Sequence, residues 1–148
     1  MNVSRRQISK ALYDLLASSY SFRKTEPTAR IWTNVDAMDQ PYGGLIKPGE
    51  DASEPQAYNV TRWGVYYSWI MYLRRDATPA TSGNDVQYLI DDMIDGVEKA
   101  LQGPALGMPQ TLGNLVQNAY ISGRIDIDPG LLDQQCKIEV PIFVVTGI

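Results

Sequence analysis

The segment WGVYYSWIMYLRR, residues 63–75, constrains the fold more than any other part of the sequence. Its polarity alternates with a period of two, which predicts one long β strand whose successive side chains face opposite sides of a sheet. One face is apolar and predicts core: Trp63, Val65, Tyr67, Trp69, Met71 and Leu73. The other face carries Tyr66, Ile70 and Tyr72, although contact with water alone favours polar residues. We therefore expect the arm between this strand and the first helix, residues 36–58, or a neighbouring subunit to cover the second face.

The N-terminal segment predicts an amphipathic surface helix over about residues 4–19. Ser4 and Gln7 have the S-x-x-Q spacing of a capping box. Apolar side chains recur every three or four positions and form one stripe: Ile8, Ala11, Leu12, Leu15 and Leu16. Arg5 and Arg6 lie in the first turn, where the helix dipole disfavours positive charge. We interpret these two arginines as solvated charges or as contacts with a partner.

A second helix is predicted to start near Ser82 or Asn84 and to end at the helix-stopping pair Gly103 and Pro104. Its apolar stripe is uninterrupted and predicts packing on a sheet: Val86, Leu89, Ile90, Met93, Ile94, Val97 and Leu101. The opposite face is acidic: Asp91, Asp92, Asp95 and Glu98. Paired carboxylates on one helix are able to bind a metal, but we interpret this face as solvated.

Between the first helix and the long strand, residues 28–35 are β-branched and aromatic and predict a short strand. Residues 36–58 are rich in Gly, Pro and acids and are too long for an ordinary connection, so we interpret them as an arm that is mobile or engaged outside the fold. Within it, residues 42–47 are able to pair as a strand. YGGLIKPGE lacks the spacing and context of a phosphate-binding loop, and we interpret it as a turn.

The C-terminal part predicts an antiparallel hairpin. Residues 115–128 alternate in polarity, and Gly123 indicates a bulge or a close backbone approach. The core face of the last strand is Cys136, Ile138, Val140, Ile142 and Val144. Pro141 has no N–H donor, so this strand should lie at an edge or carry a bulge. The order of elements predicts an α+β fold, a mainly antiparallel mixed sheet of four to five strands with two amphipathic helices packed on it, in a single domain over residues 1–148.

The inventory of reactive side chains is small. The chain has no histidine, which removes the commonest general base and transition-metal ligand. The one cysteine, Cys136, lies in a strand pattern that predicts a buried thiol. Asp126 and Asp128 form a D-x-D pair without the further oxygen ligands of a calcium loop, so we interpret them as structural or solvated. The sequence thus predicts no catalytic site, no cofactor and no metal.

Charge and hydropathy exclude two further classes of protein. The net charge of −4 argues against a protein whose main role is to bind nucleic acid phosphates. No apolar run approaches the ~20 residues of a membrane span, and MNVSRRQISK lacks the apolar region of a secretory signal. We therefore expect a globular protein that is made in the cytosol and has no contact with a membrane.

The order and type of the elements resemble the phage tail terminator proteins, also called tail completion or minor tail protein U-like proteins. The resemblance covers nearly the whole chain and rests on RRQISKALYDLLASS, the Gly/Pro arm, YYSWIMYLRRD, the helix ending EKALQG and the hairpin closing in IEVPIFVV. It implies a structural virion protein of the tail or neck, not an enzyme. Such a subunit forms a hexameric ring that ends polymerisation of the tail tube and docks the head connector or stopper protein, while phage DNA passes through the lumen without specific binding.

We expect contacts with other subunits to come from the strand in the arm and from the second face of the long strand: Tyr42, Gly43, Gly44, Leu45, Ile46, Lys47, Tyr66, Ile70 and Tyr72. Three alternatives stay open. The chain is another neck component, such as a head-tail joining or stopper protein, or a tail tube subunit, or a small bacterial ligand-binding α+β module. A closed pocket with convergent polar groups would distinguish the last of these.

Overall fold

The computed structural model describes residues 3–52, 61–74, 85–130 and 135–147. These residues form two α helices and six strands: α1 (Arg5–Ala17), β1 (Lys24–Glu26), β2 (Tyr42–Ala52), β3 (Arg62–Arg74), α2 (Val86–Ala100), β4 (Asn118–Ile121), β5 (Asp126–Asp128) and β6 (Gln135–Gly147). The strands build one sheet in the order β1-β2-β3-β6-β4, and β5 also pairs with β6. β1 is parallel to β2, and the other pairings of the described strands are antiparallel. The predicted α+β class is confirmed, with one strand more than expected.

Helix α1 begins at the predicted capping box. The Ser4 hydroxyl accepts a hydrogen bond from the Gln7 backbone N–H, and the Gln7 side chain accepts one from the Ser4 N–H. The apolar stripe is buried against the sheet through Ile8, Leu12 and Leu16. Arg5 pairs with Glu50 of β2 at 2.9 Å and lies 4.7 Å above the centre of the Trp63 ring on β3. This arginine therefore joins the first turn of α1 to the sheet, a contact that the sequence did not predict.

Helix α2 packs on the same side of the sheet. Asp85 caps its N-terminus by accepting a backbone hydrogen bond at 2.9 Å, whereas Ser82 and Asn84 lie outside the described residues. At the other end, the Gln110 side chain donates to the carbonyl of Ala100, the last residue of α2, and to that of Gln102 just beyond it. The buried side chains of α2 are Ile90, Met93 and Val97. The four acidic residues of its opposite face are exposed, as predicted.

The main core lies between the two helices and one face of the sheet. On β3 it contains the predicted face: Val65, Tyr67, Trp69, Met71 and Leu73. On β6 it again contains the predicted face: Cys136, Ile138, Val140, Ile142 and Val144. Both sets follow from the period-two alternation, because residues two apart on a strand share a face. Trp63, at the start of β3, is only partly buried and packs at the margin of this core.

Two predictions between α1 and β3 are wrong. Residues 28–35 do not form a strand, because the segment turns into a 3₁₀ helix at Trp32–Asn34, and the strand in this part of the chain is the earlier β1. The strand expected as possible over residues 42–47 is confirmed, but the rest of the predicted arm is not a loop up to Ala52, because Tyr42–Ala52 form β2 and pair with β3. The register shifts between Ile46 and Gly49, so the proline of this strand lies in a bulge. Residues 53–60 lie outside the described part of the chain.

The predicted single strand over residues 115–128 is divided into β4 and β5, which pair with successive parts of β6. Gly123, between them, has a φ of 104°, a conformation that favours glycine. Pro141 lies opposite this interruption, and its carbonyl accepts a hydrogen bond from the Ser122 N–H at 3.0 Å. In a strand the N–H and C=O of one residue face the same neighbour, so the hydrogen bond that Pro141 is unable to donate would lie on this side, where β4 and β5 are interrupted. β6 is therefore an interior strand, and a break in its neighbour, rather than an edge position, accommodates the proline.

Candidate functional site: the second face of the sheet

The face of the sheet that points away from the helices is covered at one end and open at the other. Ile70 and Tyr72 of β3 are 2% and 3% exposed, whereas Tyr66 on the same face of the same strand is 44% exposed. We call the part around Ile70 and Tyr72 the covered half, and the part around Tyr66 the open half. The second face is therefore covered within the subunit for one half only, and residues that include Ala29 and Val35, which precede the predicted arm, provide this cover.

Residues 28–41 of the same chain, which we call the covering segment, lie over the covered half. The Ala29 N–H donates to the carbonyl of Leu45 at 2.9 Å, so the covering segment crosses β2 in direct contact with its backbone. This approach requires Gly44, because a Cβ atom at that position would lie 2.6 Å from the Cα atom of Ala29. On the opposite face of β2, a Cβ atom at Gly43 would overlap the ring of Trp69. The two glycines therefore belong to a strand that is closely covered on both sides, and their interpretation as a turn is wrong.

Two stacked tyrosines join the covering segment to the sheet. The rings of Tyr42 and Tyr72 lie 5.4 Å apart, centre to centre, at an angle of 23°. The Tyr72 hydroxyl donates to the carbonyl of Arg30 at 2.7 Å. The Tyr42 hydroxyl accepts from the Arg30 N–H at 3.1 Å and donates to the Glu26 carboxylate at 2.9 Å. Both hydroxyls of this pair therefore have partners, which keeps the cost of burying them low.

These contacts also change the acidity of the two tyrosines. Burial raises the pKa of Tyr42 to about 12, and the hydrogen bond and charge of Glu26 add to the rise, while the Arg30 N–H acts in the opposite direction. The pKa of Tyr72 is also raised, first by burial and then by the charge of Glu139. Since burial is the largest cause in both cases, these shifts depend on the covering segment.

The open half carries a row of three aromatic rings that crosses three strands. Phe143 of β6 lies between Tyr66 of β3, at 5.1 Å, and Tyr120 of β4, at 5.8 Å between ring centres. The Tyr66 hydroxyl donates to the Asp51 carboxylate at 2.7 Å, and this hydrogen bond is the main cause of the raised pKa of Tyr66. Gly64 lies under the Phe143 ring, where a Cβ atom would overlap it. The row is therefore packed internally but remains exposed on its outer side.

Two open depressions flank this aromatic row. One lies beside Tyr120 and is formed largely by residues 101–110, in which Leu106 and Met108 are exposed. The other lies beside Tyr66, and its lining includes Gly64 and Val145. Both depressions are open to solvent and are lined by a mixture of apolar side chains, backbone and a few polar groups. Neither depression is an enclosed cavity, the form that is typical of a small-ligand site.

Six of the nine predicted contact residues are buried inside the subunit: Tyr42, Gly43, Gly44, Leu45, Ile70 and Tyr72. Their side chains or backbones contact other parts of this chain. The remaining three, Ile46, Lys47 and Tyr66, are exposed. Sequence reasoning missed Tyr120 and Phe143, although both lie opposite the apolar face of their strands. An aromatic residue on the strand face opposite the core is the sequence signal by which Tyr120 and Phe143 could have been found.

The described residues bring no three His, Cys, Asp or Glu side chains together as a metal site. Asp126 lies 3.4 Å from Arg124, and Asp128 accepts a hydrogen bond from the Gly130 N–H. Cys136 is fully buried, as predicted, and its thiol donates to the carbonyl of Pro129. Within the described ranges, no helix is long and apolar enough to cross a membrane. The feature with the clearest potential for binding is therefore the open half of the sheet.

The structure thus defines an α+β subunit with one sheet face divided into a covered and an open half. The sequence matches no protein-family model and no curated protein. The fold is similar to that of a chain in the virion of a native gene transfer agent (GTA) particle, with a TM-score of 0.56 over 95% of each chain and 11% sequence identity. At this identity the likeness concerns the fold.

Proposed function

We propose that this chain is a structural subunit of a phage-like virion. The observation that carries the proposal is the likeness of its fold, over 95% of both chains, to a chain of the GTA virion. Two features of the chain support it. Histidine is absent from the sequence, and the open half of the sheet presents contiguous apolar area of the kind that contacts other proteins. A subunit of this kind acts through the shape of its surfaces and needs no reactive group.

Within this class, we propose a tail terminator that forms a hexameric ring at the head-proximal end of the tail tube. The order of elements that resembles the terminator proteins supports this choice, and so does the α+β fold. The ring would stop tube polymerisation on one side and dock the head connector or stopper protein on the other. Six copies at −4 each give −24, so phosphate groups of DNA are repelled rather than bound as DNA passes. The site of action is the tail or neck of a virion that is assembled in the host cytoplasm.

Deletion of the gene in the strain that carries it tests this function. We expect overlong tail tubes, or tails without heads, in electron micrographs of the particles. The wild-type gene on a plasmid should restore normal particles. The purified chain should form a six-fold ring by light scattering and negative-stain microscopy. Normal particles from the deletion strain would exclude a terminator, and a twelve-fold ring would instead favour an adaptor on the head side.

A structural role also predicts which polar residues are dispensable. We expect Asp126→Asn, Asp128→Asn and Cys136→Ser each to restore particle assembly in the deletion strain, because none of these side chains meets a partner that catalysis or metal binding requires. Loss of particle assembly by a folded aspartate variant would reveal a functional carboxylate. In that case the structural role would have to be abandoned.

A further inference from the structure

Among the described residues, most of the exposed large apolar side chains fall into two patches, and Tyr88 and Ile127 belong to neither. The first, the aromatic patch, extends the aromatic row of the open half and contains Ile46, Tyr66, Leu106, Met108, Tyr120 and Phe143. The second, the knob patch, lies on the covering segment and contains Ile31, Trp32 and Met38. The side chains of the knob patch are 65%, 43% and 83% exposed, although the same segment buries other residues against the sheet.

The size of the aromatic patch matches what one side of a protein interface requires. A large side chain has roughly 200 Å² of surface, so the exposed fractions in this patch correspond to roughly 550 Å² of apolar area. The knob patch contributes roughly 400 Å² on the same basis. One side of a standard interface buries about 800 Å², of which somewhat more than half is apolar. Each patch therefore has the size of the largest apolar patch on a typical monomer, about 300–600 Å², and patches of this size often have a binding role.

The two patches differ in shape. The knob patch is carried by short 3₁₀ turns, at Trp32–Asn34 and Ala37–Asp39, which hold Trp32 and Met38 outwards. The aromatic patch is flanked by the depression beside Tyr120 and by the depression beside Tyr66.

We propose that the knob patch of one copy of this chain packs on the aromatic patch of the next copy. The inference rests on the proposed ring, because a head-to-tail contact uses two different patches on each subunit and closes into a ring when the rotation between copies allows it. Each copy then contributes both sides of the contact, so that a closed ring leaves neither patch uncovered. Ile70 and Tyr72, which face the same side of the sheet, are excluded from the contact because the covering segment already buries them.

Two double variants and one control test the contact. Trp32→Ser/Met38→Ser removes the knob patch, and Tyr66→Ser/Tyr120→Ser removes the exposed tyrosines of the aromatic patch. Tyr88→Ser is the matched control, because Tyr88 is 57% exposed on α2 and belongs to neither patch. We expect each double variant to raise the concentration at half-assembly by about tenfold or more, as measured by light scattering, and the control to assemble like the wild type. Circular dichroism and urea unfolding at low concentration verify that each variant is folded.

Mixing the two double variants gives a second, sharper measurement. Each keeps one intact patch, so an equimolar mixture should form a two-copy species that neither variant forms alone and that cannot extend further. Cross-linking between Met38→Cys copies and Tyr120→Cys copies reports the same contact if a double variant does not fold. A wild-type chain that stays monomeric at high micromolar concentration, or folded double variants that assemble normally, would overturn the inference. Normal particles from the deletion strain, by contrast, would remove the proposed function while leaving the contact to be judged by these measurements.

Discussion

Tyr72 and Tyr66 are the same residue type on the same face of the same strand, yet they have opposite environments. Tyr72 is 3% exposed, stacks on Tyr42 and donates its hydroxyl to the carbonyl of Arg30. Tyr66 is 44% exposed, and its ring packs against that of Phe143. The alternation of β3 gives both residues the same direction, so the difference comes from a chain segment that crosses one half of the sheet and not the other.

This difference separates two uses of apolar surface. The apolar area of the covered half is buried by the covering segment when the subunit folds, so this burial stabilises the monomer and does not require a partner. The open half keeps apolar area that folding has not used and that association can still bury. We therefore expect substitutions in the covered half to lower the stability of the subunit, and substitutions in the open half to affect mainly its assembly.

The largest expected difference is between Tyr72→Ala and Tyr66→Ala. Removal of the buried ring of Tyr72 leaves a cavity under the covering segment and should lower the free energy of unfolding by about 3–5 kcal/mol. Removal of the half-exposed ring of Tyr66 should cost less than about 1 kcal/mol. Urea unfolding at a concentration where the chain is monomeric measures both values. Equal losses would mean that the covering segment does not hold Tyr72 in the free subunit.

Two glycines of β2 give the next contrast. Gly44→Ala places a methyl group against the backbone of Ala29, so it should displace the covering segment and cost about 1–3 kcal/mol. Gly49→Ala, in the same strand, meets open space and should leave stability unchanged or slightly higher. Thermal unfolding compares the two variants, and hydrogen exchange at the Ala29 amide reports whether the segment has moved. A Gly44→Ala protein with normal protection at Ala29 would contradict the close contact.

A smaller effect is expected from the tyrosine hydroxyls. Tyr42→Phe removes the acceptor of the Arg30 N–H and a donor to Glu26, and should cost about 1–2 kcal/mol. Tyr66→Phe removes only the solvent-exposed hydrogen bond to Asp51 and should lower the stability much less than Tyr42→Phe does. Chemical denaturation of the two variants side by side measures the difference. If Tyr42→Phe left the free energy of unfolding unchanged, water would have to replace the Tyr42 hydroxyl as the partner of Arg30 and Glu26 without loss of stability.

The smallest effects are on acidity. Because the folded pKa of Tyr42, about 12, lies above its ordinary value of 10.0, its contribution to stability is complete below pH 10 and is lost as pH rises through 12. Tyr66 differs in cause, since its pKa is raised mainly by Asp51. Asp51→Asn should therefore lower the pKa of Tyr66 and leave those of Tyr42 and Tyr72 unchanged. Alkaline titration followed by the NMR signals of the individual tyrosine rings resolves the groups, and an unchanged pKa of Tyr66 in Asp51→Asn would exclude the role of Asp51.

Local periodicity accounts for the parts of the fold that could be predicted. The capping box of α1, the apolar stripe of α2 and the core faces of β3 and β6 all depend on residues within one element, whose spacing fixes the face that each side chain occupies. The same rule placed Cys136 in the core and Tyr66 on the second face. For β2, only the ability of residues 42–47 to pair was predicted. Its glycines and its proline are typical of loops, and only the neighbours that crowd both faces at the glycines explain the longer strand.

The candidate site depends on contacts between elements that are distant in the sequence. The pairing of β3 with β6, and of β6 with β4, places Tyr66, Phe143 and Tyr120 side by side, and this register is not encoded in any one of the three strands. The sequence by itself determined that β3 has two apolar faces and that one of them needs a cover. Only the tertiary structure decided where this cover ends. The path of residues 28–41 depends on the free space above Gly44 and on the stacked rings of Tyr42 and Tyr72. These two features exist only after β2 and β3 have paired.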